Sequence, residues 1–523
     1  MTVQSNDWLV DREVRAVPER TRWWAIGLLL LGIAVALRSA QFGNAINGLD
    51  EQYYLLVGDR MLHGAMPYVD LWDRKPWGLF ALFAAIRLLL GGEGVVQAQL
   101  VATLFATATA LVVTAIAKRT LPRTPAILAG IFYLVALQSL WGGTTQTPVF
   151  YNLPVALAAW LALRTAPDLT GRRDMVRAFG AMLLCGLAIQ IKTNAVFEGA
   201  AIGLWLLWRM ARTGAPVARI AVAVAGFALL GLLPTLAVAA GYAATGHFQA
   251  WWFAGYQSQL LKHGTAGPVA LLRLREMAGL LGPVAAIAAL GATRIKSWRD
   301  EHMLLAAWAV IGLIDALALG GFWPHYALPF AVPAAILAGH AFAAPRWGKI
   351  AFIVLIAYPC VDALLLDRIT ASEERRITAA TLAAIPADAS TRCLLIYEGP
   401  VIYYHLTHAC LVTRYAFTDH LRSSAEADAL GQDSHVALRQ ALGKRPGTIL
   451  TLDPSLWTER NTLNDRIIAA TLARDYIRIA RLPHRHYSAG REAIIVWRRR
   501  DLVRQLSSLR RYPSISTMRD QSA

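Results

Sequence analysis

The stretch at residues 49–80, LDEQYYLLVGDRMLHGAMPYVDLWDRKPWGLF, decides how the rest of the chain is read. It gathers Asp50, Glu51, Asp59, Arg60, Asp70, Asp73, Arg74 and Lys75 in a chain of which only 16% of the residues are charged. A solvated loop between two membrane helices would carry such charges without further meaning. Two features weigh against that bland reading. Tyr53, Tyr54, Tyr68, Trp72 and Trp77 are interleaved with the charges, a composition that suits a membrane interface. The acids also follow directly on the first apolar region, so a carboxylate is held near the bilayer surface.

Outward from this stretch the chain is apolar. Of its 523 residues 56% are hydrophobic, and runs near span length recur throughout, which marks a polytopic α-helical membrane protein. The formal net charge of +17 does not call for nucleic acid, because much of the Lys and Arg falls in short loops between apolar runs, where it sets orientation. Residues 1 to 22, with Arg12, Arg15, Arg20 and Arg22, precede the run from Trp23 to Leu37. Trp23-Trp24 reads as an interfacial anchor and further spans follow. A retained first span with a cytoplasmic N-terminus is therefore expected rather than a cleaved signal peptide.

Further spans are expected at 95–117, 124–141, 149–163, 177–191, 195–208, 219–243, 277–293, 302–319, 325–342 and 349–366, about eleven in all. Lys118, Arg119 and Arg123 share one loop, and Arg164, Arg172, Arg173 and Arg177 another. Arg209, Arg212 and Arg219, then Arg294, Lys296 and Arg299, then Arg346 and Lys349 fall in the others of that side. Loops 142–148 and 320–325 carry no Lys or Arg, so the positive-inside rule gives one orientation, with the 41–94 loop outside. Trp77 to Leu90, broken by Arg87 and too short to span, is expected as a juxtamembrane or re-entrant helix.

Near residue 367 the composition changes. An extracytoplasmic α/β domain is expected over 367–500, after a transmembrane domain over 1–366 and before a basic flexible tail over 501–523. Its strands are expected at 394–397, 410–414, 448–452, 476–480 and 492–497, with helices at 401–408 and 425–442. Of the four cysteines, Cys185 and Cys360 lie in spans and read as apolar filler. Cys393 and Cys410 start two strands joined by one helix, in a compartment where thiols oxidise, so a disulfide is expected, with two buried thiols as the alternative. No Cys/His metal spacing appears.

Polar residues at the span ends complete the candidates. Lys192, in LAIQIKTNAVFEG, emerges on the same outer side as Lys75 and is a partner for an anion unless it only snorkels to the interface. His325 and Tyr326 open a span on that side, where the bland alternative is an interfacial residue. Tyr256, Lys262, Arg273 and Arg275 lie in the outer loop 244–276, where more cations could meet a lipid phosphate. Asp315 sits in mid-span and needs a partner that the sequence does not name.

Asp50-Glu51 after the first span, Pro67-Tyr68-Val69-Asp70, Trp72-Asp73-Arg74-Lys75-Pro76, Gln190-Ile191-Lys192 and His325-Tyr326 together resemble the bacterial branch of the dolichyl-phosphate-mannose protein mannosyltransferase family. That family has a GT-C fold, shared with the aminoarabinose transferases that modify lipid A. The resemblance covers roughly residues 20 to 365; Trp77 stands where the family often has a second proline. It implies an enzyme of the cytoplasmic membrane that moves a sugar, with inversion, from a polyprenyl-phosphate donor to an acceptor hydroxyl of a lipid, glycan or protein on the outer face.

In that chemistry Asp50 is the expected base, with Glu51 orienting it or the acceptor. Lys75, Lys192 and Arg74 are expected at the donor phosphate, and Tyr53, Tyr68, Asp70, Asp73, His325 and Tyr326 around the substrate. No cofactor is required, and a divalent cation stays open. The competing reading is a multi-span transporter or flippase of a lipid-linked or anionic substrate, but the chain shows no internal repeat, and its charges gather at one surface. A membrane receptor does not account for the acidic pair beside Lys-Pro. A ligase using a lipid pyrophosphate would need more cations than the sequence places.

Overall fold

The computed structural model describes residues 22–503 except 266, 319, 456–458 and 485–491. The basic segment with Arg12, Arg15 and Arg20, and residues 504–523 of the expected tail, lie outside the described residues.

Apolar runs become helices because the bilayer core offers backbone groups no other partner. α1 (Trp23–Arg38) leads into α2 (Leu49–Leu62) and α3 (Trp77–Leu90). Next come α4 (Val95–Ala117), α5 (Arg123–Ser139), α6 (Thr147–Ala162), α7 (Arg172–Ile189), α8 (Ala195–Arg212) and α9 (Val217–Ala244). The short α10 (Phe248–Trp252) and α11 (Ser258–Leu261) lie in the loop after α9, before α12 (Gly267–Thr293), α13 (Asp300–Ala318) and α14 (Ala331–Phe342). Among the described residues six helical segments, at 23–41, 95–117, 217–244, 267–293, 300–318 and 347–384, are long and apolar enough to cross a membrane, and shorter apolar helices lie at 77–90, 147–162 and 331–342.

The span expected at 325–342 is built differently. Residues 324–327 form a 3-10 turn, and α14 itself is only 12 residues, or about 18 Å. It is buried on nearly every side, so protein surrounds it where a lipid-facing helix would need full bilayer length. α3 leaves Leu88, Leu89 and Leu90 exposed at its end, as a helix dipping into a membrane surface does. Arg87 does not face lipid: it donates to Asp59 Oδ1 of α2 at 3.0 and 2.8 Å.

The boundary expected at 366/367 falls inside a continuous helix. α15 (Trp347–Val361) passes through a π-helical turn at 362–366 into α16 (Asp367–Ala384). Pro359 removes one backbone donor just before that turn, a local cause for the change of hydrogen-bond step. α16 docks on the loop after α1, where Asn44 donates to Glu374 at 2.5 Å and Arg375 to Ala40 O at 3.0 Å.

Beyond it lie α17 (Ala389–Arg392), β1 (Leu394–Ile396), α18 (Ile402–Leu406), α19 (Thr418–Arg422), α20 (Ser434–Gly443), β2 (Thr448–Asp453), α21 (Thr462–Asp475), β3 (Tyr476–His484) and β4 (Glu492–Arg499). The sheet order is β1-β2-β4-β3, with β1 and β2 parallel and the other pairs antiparallel. Leu395 lies opposite Ile449 and Leu450 opposite Val496, which places the apolar alternation of three strands in one core.

Three expectations are corrected. Residues 410–414 form no strand: only Leu411 bridges Leu394, and Arg414 O instead accepts the Trp72 N–H at 2.9 Å, so this segment serves the loop between α2 and α3. The helix expected over 425–442 starts as a 3-10 turn and becomes regular only at Ser434, where Asp433 caps two backbone N–H groups. α21 was not expected at all, although Asn461 caps it through Asn464 N at 3.2 Å.

Cys393 and Cys410 are joined by a disulfide across 17 residues of sequence, while Cys185 and Cys360 are free. The bond follows from the Leu394–Leu411 bridge rather than from two adjacent full strands. Closing so short a loop stabilises the domain by roughly 3 kcal/mol through the unfolded chain. Alkylation of unfolded, unreduced protein is expected to modify two cysteines and spare two; modification of all four refutes the bond.

Candidate active site

The polar groups at the start of α2 are held by the turn before it. Gly48 has φ +80°, and a Cβ there would lie 2.0 Å from Glu51 Oε2, so only glycine lets Glu51 fold back over the helix start. Glu51 Oε1 accepts the Thr144 hydroxyl at 2.5 Å, and its Oε2 is buried with no hydrogen-bond partner among the described residues. Thr144 is itself fixed by Arg38 at the end of α1, which donates to Thr144 O, to Gly142 O at 2.6 Å and to Thr103 Oγ1 at 3.1 Å. Asp50, also in the first turn where a carboxylate suits the helix dipole, accepts Tyr54 Oη–H at 3.1 Å.

Lys75 faces Asp50 from the following loop, its Nζ 3.6 Å from Asp50 Oδ2 and 5.4 Å from the Tyr54 ring centre. Its backbone is fixed on both sides: the N–H donates to Asp73 Oδ1 at 2.8 Å and the carbonyl accepts Tyr68 Oη–H at 2.9 Å. Asp70, exposed, closes the preceding turn by accepting Met66 N–H at 2.7 Å. After Lys75, Pro76 caps α3 and Trp77 is its first residue. A Cβ on Gly78 would come within 2.7 Å of Gln190 O, so the small residue lets α3 abut the turn after α7. That turn delivers Lys192, whose Nζ lies 4.9 Å from the ring centre of Tyr326, beside His325 in the 3-10 turn. Asp315 finds its partner here, accepting from Asn194 Nδ2 at 2.6 Å.

The electrostatics follow from this packing. Burial pushes Asp50 up, but Lys75, His325, the Tyr54 hydrogen bond and Lys192 together hold its carboxyl below the ordinary value of 3.8. Lys75 is opposed by burial yet raised by Asp50 and Asp73, so the pair is ionised at neutral pH. Burial takes Glu51 the other way, from 4.5 up to about 7, against its Thr144 hydrogen bond. A carboxyl raised on folding binds its proton more tightly in the folded state. Its contribution to stability is therefore full below pH 4.5 and is lost as pH rises through about 7. Subtracting the melting profile of Glu51→Gln from that of the wild type is expected to show this loss, roughly 3 kcal/mol. A flat difference contradicts the buried placement.

Asp50, Glu51, Lys75, Lys192, His325 and Tyr326 thus converge, with Tyr68 and Asp73 shaping the Lys75 loop. Arg74, Tyr53 and Asp70 are placed otherwise. Arg74 lies over Trp72 at 5.0 Å and pairs with Glu426 of the C-terminal domain, which Lys262 also contacts at 3.0 Å. Although burial raises the Glu426 carboxyl, these two cations hold it down to about 2. Tyr53 Oη donates to Trp72 O at 3.0 Å, with its ring against Phe417 and His420. Arg273 lies 4.1 Å from the Trp323 ring centre, and Tyr256 stacks on Trp252. Arg38, Thr144 and Gly78 were missed by the sequence reading; only the arginine closing the first apolar run was a legible signal. Among the described residues no three His, Cys, Asp or Glu side chains are grouped to hold a metal ion.

Residues 75–237 match the model of the dolichyl-phosphate-mannose-protein mannosyltransferase family. No curated protein sequence matches the chain. ArnT from Cupriavidus metallidurans in the apo state is similar in fold, with a TM-score of 0.58 at 16% identity over 91% of this chain and 97% of that one. ArnT bound to undecaprenyl phosphate gives 0.55 at 15% identity over the same shares. The apo oligosaccharyltransferase of Archaeoglobus fulgidus gives 0.50 at 11%, over 83% of this chain and 70% of that one. The chain is a multi-pass membrane protein with the GT-C glycosyltransferase fold, similar over residues 75–237 to the dolichyl-phosphate-mannose-protein mannosyltransferase family.

Proposed function

We propose that the protein transfers a sugar from a polyprenyl-phosphate donor to an acceptor hydroxyl of a lipid, glycan or protein at the outer face of the cytoplasmic membrane, with inversion. The observation that carries this reading is the Asp50–Lys75 pair at 3.6 Å, flanked by Lys192, at one end of the helix bundle. The undecaprenyl phosphate bound by ArnT, a protein of the same fold, supports a lipid-phosphate donor.

In this mechanism Asp50 takes the acceptor proton as its oxygen attacks the anomeric carbon. The bond to the donor phosphate breaks on the opposite face, and Lys75 and Lys192 stabilise the charge gathering on the departing lipid phosphate. Glu51, held by Thr144, orients Asp50 or the acceptor. His325 and Tyr326 line the sugar side, while Tyr68 and Asp73 keep the Lys75 backbone in place. Arg74 supports the loop through Glu426 rather than reaching the phosphate. The whole chain acts as a spanning catalytic body of about eleven spans carrying an extracytoplasmic α/β domain.

Purified protein given polyprenyl-phosphate-linked sugars is expected to release free polyprenyl phosphate only when an acceptor is present. The mass of envelope glycans or lipids is expected to fall by one sugar in cells lacking the protein. Movement of the intact lipid-linked sugar across vesicles without transfer would favour the flippase reading instead. Sidedness has its own check: a reporter fused at the carboxyl end is expected to be active only outside, and labelling from the cytoplasm refutes the orientation.

A further inference from the structure

The end of the bundle opposite the candidate site holds a cavity of about 310 Å³, lined by Arg119, Trp205, Arg209, Arg299, Asp300 and Glu301, with Leu163 and Thr165. Three tryptophan–arginine pairs one turn apart mark this level as a membrane interface. Arg164 lies 4.4 Å from the Trp160 ring, Arg209 4.5 Å from Trp205 and Arg212 4.6 Å from Trp208. Leu204, Trp298 and Met303, one or two residues in sequence from Trp205, Arg299 and Glu301 of the lining, are exposed and offer apolar surface fit for acyl chains.

Both signs of charge are fixed in the lining. The Arg209 side chain is only 9% exposed and donates to Thr165 Oγ1 and Thr165 O, each at 3.1 Å. Its Nε makes no hydrogen bond among the described residues and lies 3.6 Å from Asp300 Oδ2. Asp300 also takes Arg212 Nη1 at 3.0 Å, and Glu301 takes Arg119 Nε at 3.0 Å. Guanidiniums thus stand beside two carboxylates at the start of α13, and Arg299 adds a third cation to the lining.

We propose that this cavity binds the headgroup of an aminophospholipid from the leaflet opposite the candidate site. Guanidiniums suit the phosphate, which they grip bidentately, and Asp300 and Glu301 suit a primary ammonium with N–H donors. A phosphatidylglycerol headgroup brings no donor cation to the carboxylates, and the choline ammonium has no N–H to give. The assignment is independent of the transfer reaction proposed above.

The test uses the full-length protein, delipidated in detergent and offered phosphatidylethanolamine, its mono-, di- and trimethylated forms and phosphatidylglycerol, with retention read by native mass spectrometry. Phosphatidylethanolamine is expected to be retained about tenfold over the trimethylated lipid, as for the loss of one charged hydrogen bond, with a graded fall along the methylation series. Asp300→Asn with Glu301→Gln is expected to erase that discrimination, and Arg299→Gln to weaken retention of the whole series. Equal retention along the series, preference for phosphatidylglycerol, or unchanged discrimination in the double variant overturns the proposal. So does displacement by water-soluble glycerophosphoethanolamine at equal concentration, which reassigns the site to a free phosphate ester. The methylation series needs only the wild-type protein, so misfolding of a variant leaves the test intact.

Discussion

Asp50→Asn is expected to lower kcat by about 10² to 10⁴-fold while the protein folds and binds donor as before. The substitution keeps an oxygen for the Tyr54 hydroxyl, 3.1 Å away, and removes only the basicity and the charge. The lost ion pair with Lys75 is a small structural matter. The two side chains are 30% and 27% exposed, and Lys75 keeps the Asp73 charge beside it, so the loss of the pair costs about 1 kcal/mol. A fall in kcat at unchanged melting temperature and donor KM therefore reports chemistry. Asp50→Glu retains a carboxylate but shifts it by one methylene, and is expected to fall between the two. Near-normal transfer by purified Asp50→Asn removes the base role.

Lys75→Ala carries the second large effect, on the lipid phosphate itself. A charge-assisted hydrogen bond contributes about 1.5 to 3 kcal/mol, so binding of polyprenyl phosphate is expected to weaken by about 10 to 150-fold. The same change strips Asp50 of its strongest counter-ion, and Lys75 is the first of the groups holding that carboxyl down. The Asp50 titration is therefore expected to move up, carrying the acid limb of kcat/KM with it. Lys75→Arg restores charge but not a compact ammonium, and rescues the titration better than the affinity. Equal affinity of wild type and Lys75→Ala for polyprenyl phosphate defeats the assignment.

The sequence by itself determined the membrane class, the helical runs, the charged segment at 49–80 and the α/β character of the last part of the chain. Each is a local matter: apolar length, loop charge and strand-length runs act within a few residues of where they are read. Asp50, Glu51 and Lys75 were legible because their charges stand beside an apolar run where charge is rare.

Tertiary structure alone decided what those charges face. Arg74 and Lys75 are adjacent in sequence, yet one pairs with Glu426 and the other with Asp50. Glu51 depends on Thr144, held by Arg38, across separations of 93 and 106 residues. Asp315 meets Asn194 across 121 residues, and the segment around Arg414 gives up a strand to bind Trp72. Helix packing brings such partners together, and a buried charge then takes whichever opposite charge or donor arrives, because leaving it unpaired is costly. Local pattern could mark which residues are charged, but only the close approach of the α3 start to the turn after α7 decided that Lys75 and Lys192 face one site.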